Sequence, residues 1–187
     1  MASRMSKKTR LIIMVILIIA VVALVGWALS RGSCSPSDST LQSHEAPDVA
    51  LPTMTGSNIT LSELEGTPVV LNFWSIGCSA CRIQLPYLEN VAQQSEGEIK
   101  VIAVNIVDSA ANIQKFFGDY EPTMIVALDK NAEVFVNYCQ KDNPRGYIPI
   151  TFFVDGEGII QYIKIGAFSS ETELWDTLDS VFETTAP

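Results

Sequence analysis

Histidine and cysteine are scarce in this 187-residue chain, and their scarcity excludes several kinds of site. His44 is the one histidine, and of the four cysteines only Cys78 and Cys81 are close together. A structural zinc site takes four Cys or His ligands, and no second pair is present to complete one. A dense disulfide framework is also excluded, and a domain of about 140 residues buries enough core without it. We therefore predict neither a metal nor a cofactor.

Charged residues are absent from the stretch 11–29. As a helix this stretch is about 28 Å long, close to the thickness of a hydrocarbon core. Four basic residues come before it and Arg31 follows it, so the positive-inside rule places the N-terminus in the cytoplasm. We predict a cytoplasmic segment 1–10, a transmembrane signal anchor 11–30 and an extracytoplasmic remainder.

Two other interpretations of this stretch stay open. A cleaved signal peptide has an apolar region of about 7 to 15 residues, so the greater length here favours an uncleaved anchor. A lipoprotein signal would place its lipid on Cys34, but Arg31 stands where such signals usually carry an aliphatic residue.

The remainder of the chain has few basic residues. Five of the twelve basic side chains precede residue 32 and all 21 acidic ones follow it, which leaves residues 32–187 with a net charge of −14. Such a surface disfavours binding to nucleic acid or to anionic lipid. We predict no nucleic-acid partner.

Small polar residues make up the segment 31–46, which predicts a flexible linker with His44 solvated in it. The folded domain is predicted over 47–184, and its apolar runs and turn residues indicate an α/β class with a mixed sheet. The predicted strands are 48–54, 58–61, 68–75, 99–107, 124–128, 150–154 and 159–165, and the predicted helices are 61–64, 79–95, 110–118, 132–138 and a last one, with Ser62 and Ser169 as caps.

The pair Cys78-Ser79-Ala80-Cys81 directly follows the apolar strand in this pattern. At a strand-to-helix junction this spacing is typical of a redox pair, because the two sulfurs can meet in an exposed disulfide. Backbone N–H groups and the dipole at the helix start lower the pKa of the first thiol. The residues alone thus indicate thiol–disulfide chemistry.

The stretch LNFWSIGCSACRIQLPYLENV resembles the active-site strand and helix of the thioredoxin superfamily. The preceding APDVALPTMTGSNITLSELEGTPVV is similar to the N-terminal extension of its TlpA/ResA/CcmG-like branch, and RGYIPITFFVDGEGIIQYIKIGAFS to the cis-proline segment and last hairpin. The resemblance covers about residues 46–183. It implies a thioredoxin fold with an N-terminal β extension, a central mixed sheet flanked by helices, and one preceding transmembrane helix in a bacterial cell membrane.

The resemblance also implies roles for individual residues. Cys78 would be the nucleophile that forms a mixed disulfide with a substrate, and Cys81 would resolve it. Pro149 would be the cis-proline that faces the pair and presents backbone groups to an extended peptide. On the same substrate-binding surface we expect Trp74, Ile148 and Gly166.

Three positions depart from the family pattern. Members often carry a carboxylate near the buried cysteine, two residues before the tryptophan or three residues after the second cysteine. This chain has Asn72 and Gln84 at those places, and both side chains are neutral amides. Without a nearby base we expect slower deprotonation of Cys81. Gly77 replaces a bulky aromatic residue, which is expected to leave the disulfide more open.

The activity implied is that of a membrane-anchored monomeric oxidoreductase that reduces disulfides of exported proteins, with protein disulfides and thiols as its substrates. Apocytochrome c, in cytochrome c maturation, is one substrate that the resemblance implies. A membrane thiol donor of the CcdA/DsbD kind would supply its electrons. An extracytoplasmic thiol oxidase is the main alternative. A copper chaperone of the Sco kind is disfavoured because the wider cysteine spacing and late histidine are missing, and a peroxiredoxin because Ser75 stands where threonine is expected.

Cys34 and Cys139 lie outside the motif, and two interpretations stay open for them. The flexible linker would allow a disulfide between the two. A buried, inert thiol at Cys139 is the favoured interpretation, since free cysteine is among the most buried residue types.

Overall fold

The computed structural model describes residues 39–40 and 44–182. The predicted cytoplasmic segment, transmembrane anchor and most of the predicted linker lie outside these residues. Within the described part, no helix has the length and apolar character needed to cross a membrane.

A mixed sheet forms the centre of the domain, as predicted, and among the described residues it has seven strands. Its strands lie in the order β1-β9-β8-β5-β6-β7, and β2 also pairs with β9. The pairs β5–β6 and β6–β7 are parallel, whereas β8 and β9 are antiparallel to their neighbours. The bounds are β1 Ser39–Thr40, β2 His44–Glu45, β5 Val69–Trp74, β6 Lys100–Asn105, β7 Ile125–Leu128, β8 Ile150–Val154 and β9 Ile159–Ile165.

A separate hairpin of β3 (Ala50–Pro52) and β4 (Asn58–Thr60) precedes the first central strand. It corresponds to the predicted N-terminal β extension. A 3₁₀ helix, Leu61–Leu64, follows it. The backbone N–H of Met54 donates to the carbonyl of Val126 at 2.9 Å, which fastens the hairpin to β7 at the edge of the sheet.

Four α-helices cover the two faces of the sheet. Strand β5 is buried along its whole length, as expected for a central strand covered on both sides. The helices are α1 Ser79–Gln94, α2 Ala110–Phe117, α3 Glu133–Asp142 and α4 Glu171–Phe182. One buried cluster joins the sheet to α1, α2 and α4, and the other joins it to α3 and the hairpin.

The sheet begins earlier than the predicted domain boundary. Strand β2 pairs antiparallel with β9, with His44 opposite Ile160, so part of the predicted linker belongs to the sheet. The prediction of a solvated His44 is wrong, because its Nε2 lies 3.4 Å from Oδ2 of Asp142, and the two side chains are only 25% and 2% exposed. The physical reason is the pairing of β2 with β9, because without it this edge of β9 would expose unpaired backbone N–H and C=O groups.

Both predicted helix caps differ by a residue or more. Ser62 lies inside the 3₁₀ helix and donates from its hydroxyl to Asp48 at 3.0 Å. At α4 the hydroxyl of Ser170 accepts the N–H of Glu173, whereas Ser169 donates to the Glu173 carboxylate. Two adjacent serines satisfy the same sequence rule, and only the backbone geometry selects which of them caps the helix.

Candidate active site

The cysteine pair lies at the end of the central strand, where β5 passes into α1. Cys78 is the N-cap residue of α1, and its backbone N–H donates to the carbonyl of Ser75 at 3.2 Å across the connecting turn. Cys78 and Cys81 form a disulfide with their Cα atoms 5.3 Å apart. The strand thus fixes the first sulfur at the point where the free N–H groups of the helix begin.

The two sulfurs differ in exposure and in hydrogen bonding. Cys81 is 1% exposed, whereas Cys78 is half-buried. The backbone N–H of Cys81 donates to Sγ of Cys78 at 3.1 Å. A thiolate at Cys78 is stabilised by this N–H and by the helix dipole, and it is the sulfur that an incoming protein can reach.

Pro149 faces this pair. The Ile148–Pro149 peptide bond is cis, as predicted, and the carbonyl oxygen of Ile148 lies 3.7 Å from Sγ of Cys78. The contact is a hydrogen bond when Cys78 is a thiol, since the disulfide sulfur carries no hydrogen. The N–H of Gly166 donates to the carbonyl of Pro149 at 2.8 Å, and its φ of +90° is one that favours glycine.

A carboxylate that the sequence analysis missed holds the loop before Cys78. Asp108 accepts from the N–H of Ile76 at 2.8 Å and from the amide of Asn105 at 2.9 Å. The missed signal is its place after β6, since parallel neighbours such as β5 and β6 bring their carboxyl ends to the same edge of the sheet. The prediction of a strand to residue 107 was two residues too long, since β6 ends at Asn105 and Asp108 lies in the loop that follows.

Trp74 has no exposed surface, which corrects its prediction as a substrate contact. Its ring packs on Phe116 and Phe117 of α2, with centroids 5.6 and 6.1 Å away. It belongs to the same buried cluster as Cys81, so it packs beside the pair from beneath. Among the described residues, no hydrogen-bond partner is found for its Nε1.

Asn72 and Gln84 are both buried beneath the pair, and their amides share one partner, the hydroxyl of Thr151. The buried carboxylate on α1 is Glu89, farther along the helix. Burial raises the pKa of Glu89, but hydrogen bonds from the N–H groups of Thr123 and Met124 and from other donors outweigh burial and lower it. Glu89 therefore holds the chain between α2 and β7.

Cys139 lies in the last turn of α3, away from the motif. It is 5% exposed and forms no disulfide with a described residue, which agrees with a buried thiol. Burial raises the pKa of the Cys139 thiol to about 11. Cys34 lies outside the described residues, so a pairing between the two stays untested. No cluster of three or more His, Cys, Asp or Glu side chains within 39–40 and 44–182 is placed to hold a metal ion.

Large apolar side chains are exposed next to the site residues in the sequence. Ile83 on α1, Val107 beside Asp108, and Tyr147 before the cis peptide are 60%, 62% and 54% exposed. Gly77 is exposed, and a Cβ there would meet no heavy atom within 4 Å. Exposed apolar side chains of this size suit contact with another protein.

A mixed sheet that places a Cys-x-x-Cys disulfide at a helix start, opposite a cis-proline, defines the class of thioredoxin-like thiol–disulfide oxidoreductases. Comparison with known proteins agrees. A profile of the Redoxin family matches residues 41–178, and this chain belongs to that family.

Relatives and solved structures carry names of the same chemistry. The chain is 30% identical over 162 residues to "Thiol-disulfide oxidoreductase ResA" of Bacillus cereus, covering 84% of this chain and 90% of that protein. It is 29% identical over 162 residues to "Thioredoxin-like protein YneN" of Bacillus subtilis, covering 85% and 91%. The structure resembles that of a DsbE-type thiol:disulfide interchange protein of Chlorobium tepidum, with a TM-score of 0.64, 26% identity, and coverage of 74% and 95%.

Proposed function

We propose that this oxidoreductase is tethered to the cell membrane and reduces disulfides of exported proteins outside the cytoplasm. The observation that carries the proposal is the unequal pair: Cys78 is half-buried at the N-cap of α1, and Cys81 is buried one turn below it. The outer sulfur is placed to attack a partner, and the inner one to attack the outer.

The proposed reaction has two steps. A Cys78 thiolate attacks one sulfur of a substrate disulfide, which forms a mixed disulfide and releases the other substrate sulfur as a thiolate that takes up a proton. Cys81 then gives up its proton, attacks Sγ of Cys78 as a thiolate and forms the intramolecular disulfide, and the second substrate sulfur leaves as a thiolate that takes up a proton. The substrate gains two electrons and the enzyme loses two, so the pair must afterwards be reduced by a donor dithiol.

Recognition would use the backbone beside the cis-proline. An extended substrate segment laid along Ile148 and Pro149 would bring its disulfide toward Cys78, whose sulfur lies 3.7 Å from the Ile148 carbonyl. Exposed Tyr147, directly before Ile148, and Val107, directly before Asp108, offer further apolar surface. Apocytochrome c, an exported protein with paired cysteines, is the substrate that the likeness to the ResA/CcmG branch favours.

The membrane location is supported by the uncharged stretch 11–29 and the basic residues before it. A membrane dithiol protein of the CcdA/DsbD kind would then reduce the pair from within the same membrane. We propose that the enzyme acts as a monomer, since each chain holds both sulfurs and the facing proline.

The direction of the reaction is tested by the reduction potential of the pair in the full-length protein in detergent, equilibrated against glutathione and dithiothreitol buffers. A value below about −220 mV, between glutaredoxins and thioredoxin, is expected for a reductant. A value above about −150 mV, toward that of DsbA, would make the protein an oxidase. A C81S variant is expected to accumulate the mixed disulfide, and the trapped protein identifies the substrate.

A further inference from the structure

Polar side chains occupy the space beneath the redox pair, where apolar ones would fill it at lower cost. Asn72 is 1% exposed, and Gln84 and Thr151 are fully buried. A buried amide or hydroxyl destabilises a protein unless its hydrogen bonds are replaced, so a buried glutamine in the middle of a helix needs a specific account.

Gln84 uses both ends of its amide, and each end reaches a different element. Its Nε2 donates to Oγ1 of Thr151 on β8 at 3.2 Å. Its Oε1 accepts the backbone N–H of Phe168, in the loop between β9 and α4, at 3.2 Å. Because Gln84 is three residues after Cys81, both lie on the buried face of α1. One side chain therefore joins the redox helix to β8 and to this loop.

Both partners of Gln84 belong to the cis-proline region. Thr151 is two residues after Pro149, and Phe168 is two residues after Gly166. Gly166 itself donates to the Pro149 carbonyl at 2.8 Å. The contacts thus close a ring from α1 through β8 and the loop back to the proline that faces Cys78.

Asn72 fixes the third member of this set. Its Nδ2 donates to Oγ1 of Thr151 at 2.9 Å and lies 3.3 Å from the Ile150 carbonyl. The Thr151 oxygen thus accepts two amide N–H groups from two different elements, which holds it in one place. None of the three side chains ionises near neutral pH, so the set contributes position and no charge.

We propose that Gln84 is a positioning residue for thiol–disulfide exchange, and that it holds the α1 end carrying Cys78 against the cis-proline strand. The inference rests on the proposed role of Cys78 as the attacking sulfur. It assigns Gln84 and Thr151 to one function, which is to keep the Ile148 carbonyl at its observed distance from Cys78.

The test compares Q84M with wild type in the full-length protein in detergent. Methionine has nearly the same volume but cannot bond to Thr151 or Phe168. We expect the rate constant for reduction of a disulfide-bonded peptide to fall roughly ten- to hundredfold, since a small misplacement of reacting groups has effects of that size. Q94M makes the same change at an exposed position of the same helix, and its rate is expected to equal that of wild type. An unchanged rate in Q84M would overturn the proposal.

T151V serves if Q84M does not fold, and an unchanged rate in T151V would then overturn the proposal; if both fold, the double variant Q84M/T151V tests the link. T151V is expected to slow the reaction, and the double variant to be less slow than the product of the single effects, because one hydrogen bond is lost in both. Independent, multiplying effects would contradict the proposed link.

Q84E separates positioning from mere packing. Glutamate keeps an acceptor for Phe168 and can pair with the Thr151 hydroxyl, so most of the rate is expected to return. Because it adds a titratable group, the pH–rate profile is expected to gain an inflection that wild type lacks. A Q84E variant as slow as Q84M at every pH contradicts the proposal. Failure of the proposed function itself is seen separately, as a C78S variant that reduces the peptide as fast as wild type.

Discussion

Cys78 and Cys139 are both helix cysteines, yet they lie at opposite ends of their helices and in opposite surroundings. Cys78 caps the N-terminus of α1, is half-buried, and its sulfur accepts an N–H at 3.1 Å. Cys139 lies in the last turn of α3, where the helix dipole is negative, and it is 5% exposed.

The charges around the two sulfurs follow the same division. Burial is the main reason that the pKa of the Cys139 thiol is raised, and the Asp142 carboxylate raises it further. The amide of Asn143, 3.6 Å from the sulfur, lowers it in part, and the balance is about 11. The comparison teaches that helix position and burial, not residue type, decide which cysteine of this chain can be a nucleophile.

The largest expected effect comes from exchanging sulfur for oxygen at the two sites. C78S is expected to leave less than roughly one-thousandth of the peptide-reducing rate, as when a nucleophile is removed from other enzymes. C139S is expected to leave that rate unchanged, because the Cys139 thiol of the wild-type protein is neutral at neutral pH and inaccessible to substrate. Single-turnover rates of the two full-length variants, reduced beforehand and freed of reductant, measure the difference, and a loss in C139S comparable to that in C78S would break the comparison.

The next effect concerns the loop that carries Cys78 to its helix. Asp108 accepts from Ile76, two residues before the cysteine, and from Asn105. In D108A both bonds are lost, so the loop is freed and the exchange rate is expected to fall roughly tenfold, about the worth of one hydrogen bond to a charged group. The alkylation rate of Cys139 should not change.

D119A is the matched control for this variant, since Asp119 is an exposed acidic residue after the next helix. Stopped-flow measurement of mixed-disulfide formation compares the two. Equal rates for D108A and D119A would show that the loop keeps its geometry without the carboxylate.

Much of the Cys78 side of this comparison follows from the sequence. The apolar run of β5, the spacing of the cysteines and the turn residues before β9 predict the sheet and the pair, and the resemblance to thioredoxins implies the proline opposite it. These signals are local, and they fix which residues follow a buried strand. The structure brings Cys78, Cys81 and Pro149 together where β5 passes into α1, as predicted.

The supporting residues could not be predicted in the same way, because they act across elements that are distant in the chain. Gln84 and Phe168 are 84 positions apart, and Asn72 and Thr151 are 79 apart. A buried amide has no sequence pattern that tells which strand it will meet. The prediction of Trp74 as a substrate contact fails for a related reason, because the packing of α2 over its ring depends on tertiary contacts.

The effect that is smallest at neutral pH concerns Cys139 and the stability of the fold. The folded pKa of this thiol, about 11, lies above its ordinary value of 9.0, so the unfolded chain releases the proton first as pH rises. The contribution of this thiol to the free energy of unfolding is therefore fully present below pH 9 and is lost as the pH rises toward 11. The full loss from this one group is about 3 kcal/mol, because the shift is about two pKa units and each unit corresponds to about 1.4 kcal/mol.

C139V removes that loss, because valine fills a similar buried volume and carries no ionisable group. The free energy of unfolding of the oxidised protein, measured in urea at several values between pH 8 and 11, is expected to fall less steeply in C139V than in wild type. Burial also raises the pKa of Tyr138, but that residue is present in both proteins and cancels in the difference. Parallel curves for the two proteins would mean that Cys139 ionises as readily in the folded as in the unfolded chain. In that case burial would not be what separates it from Cys78, and its distance from the cis-proline would be the remaining cause.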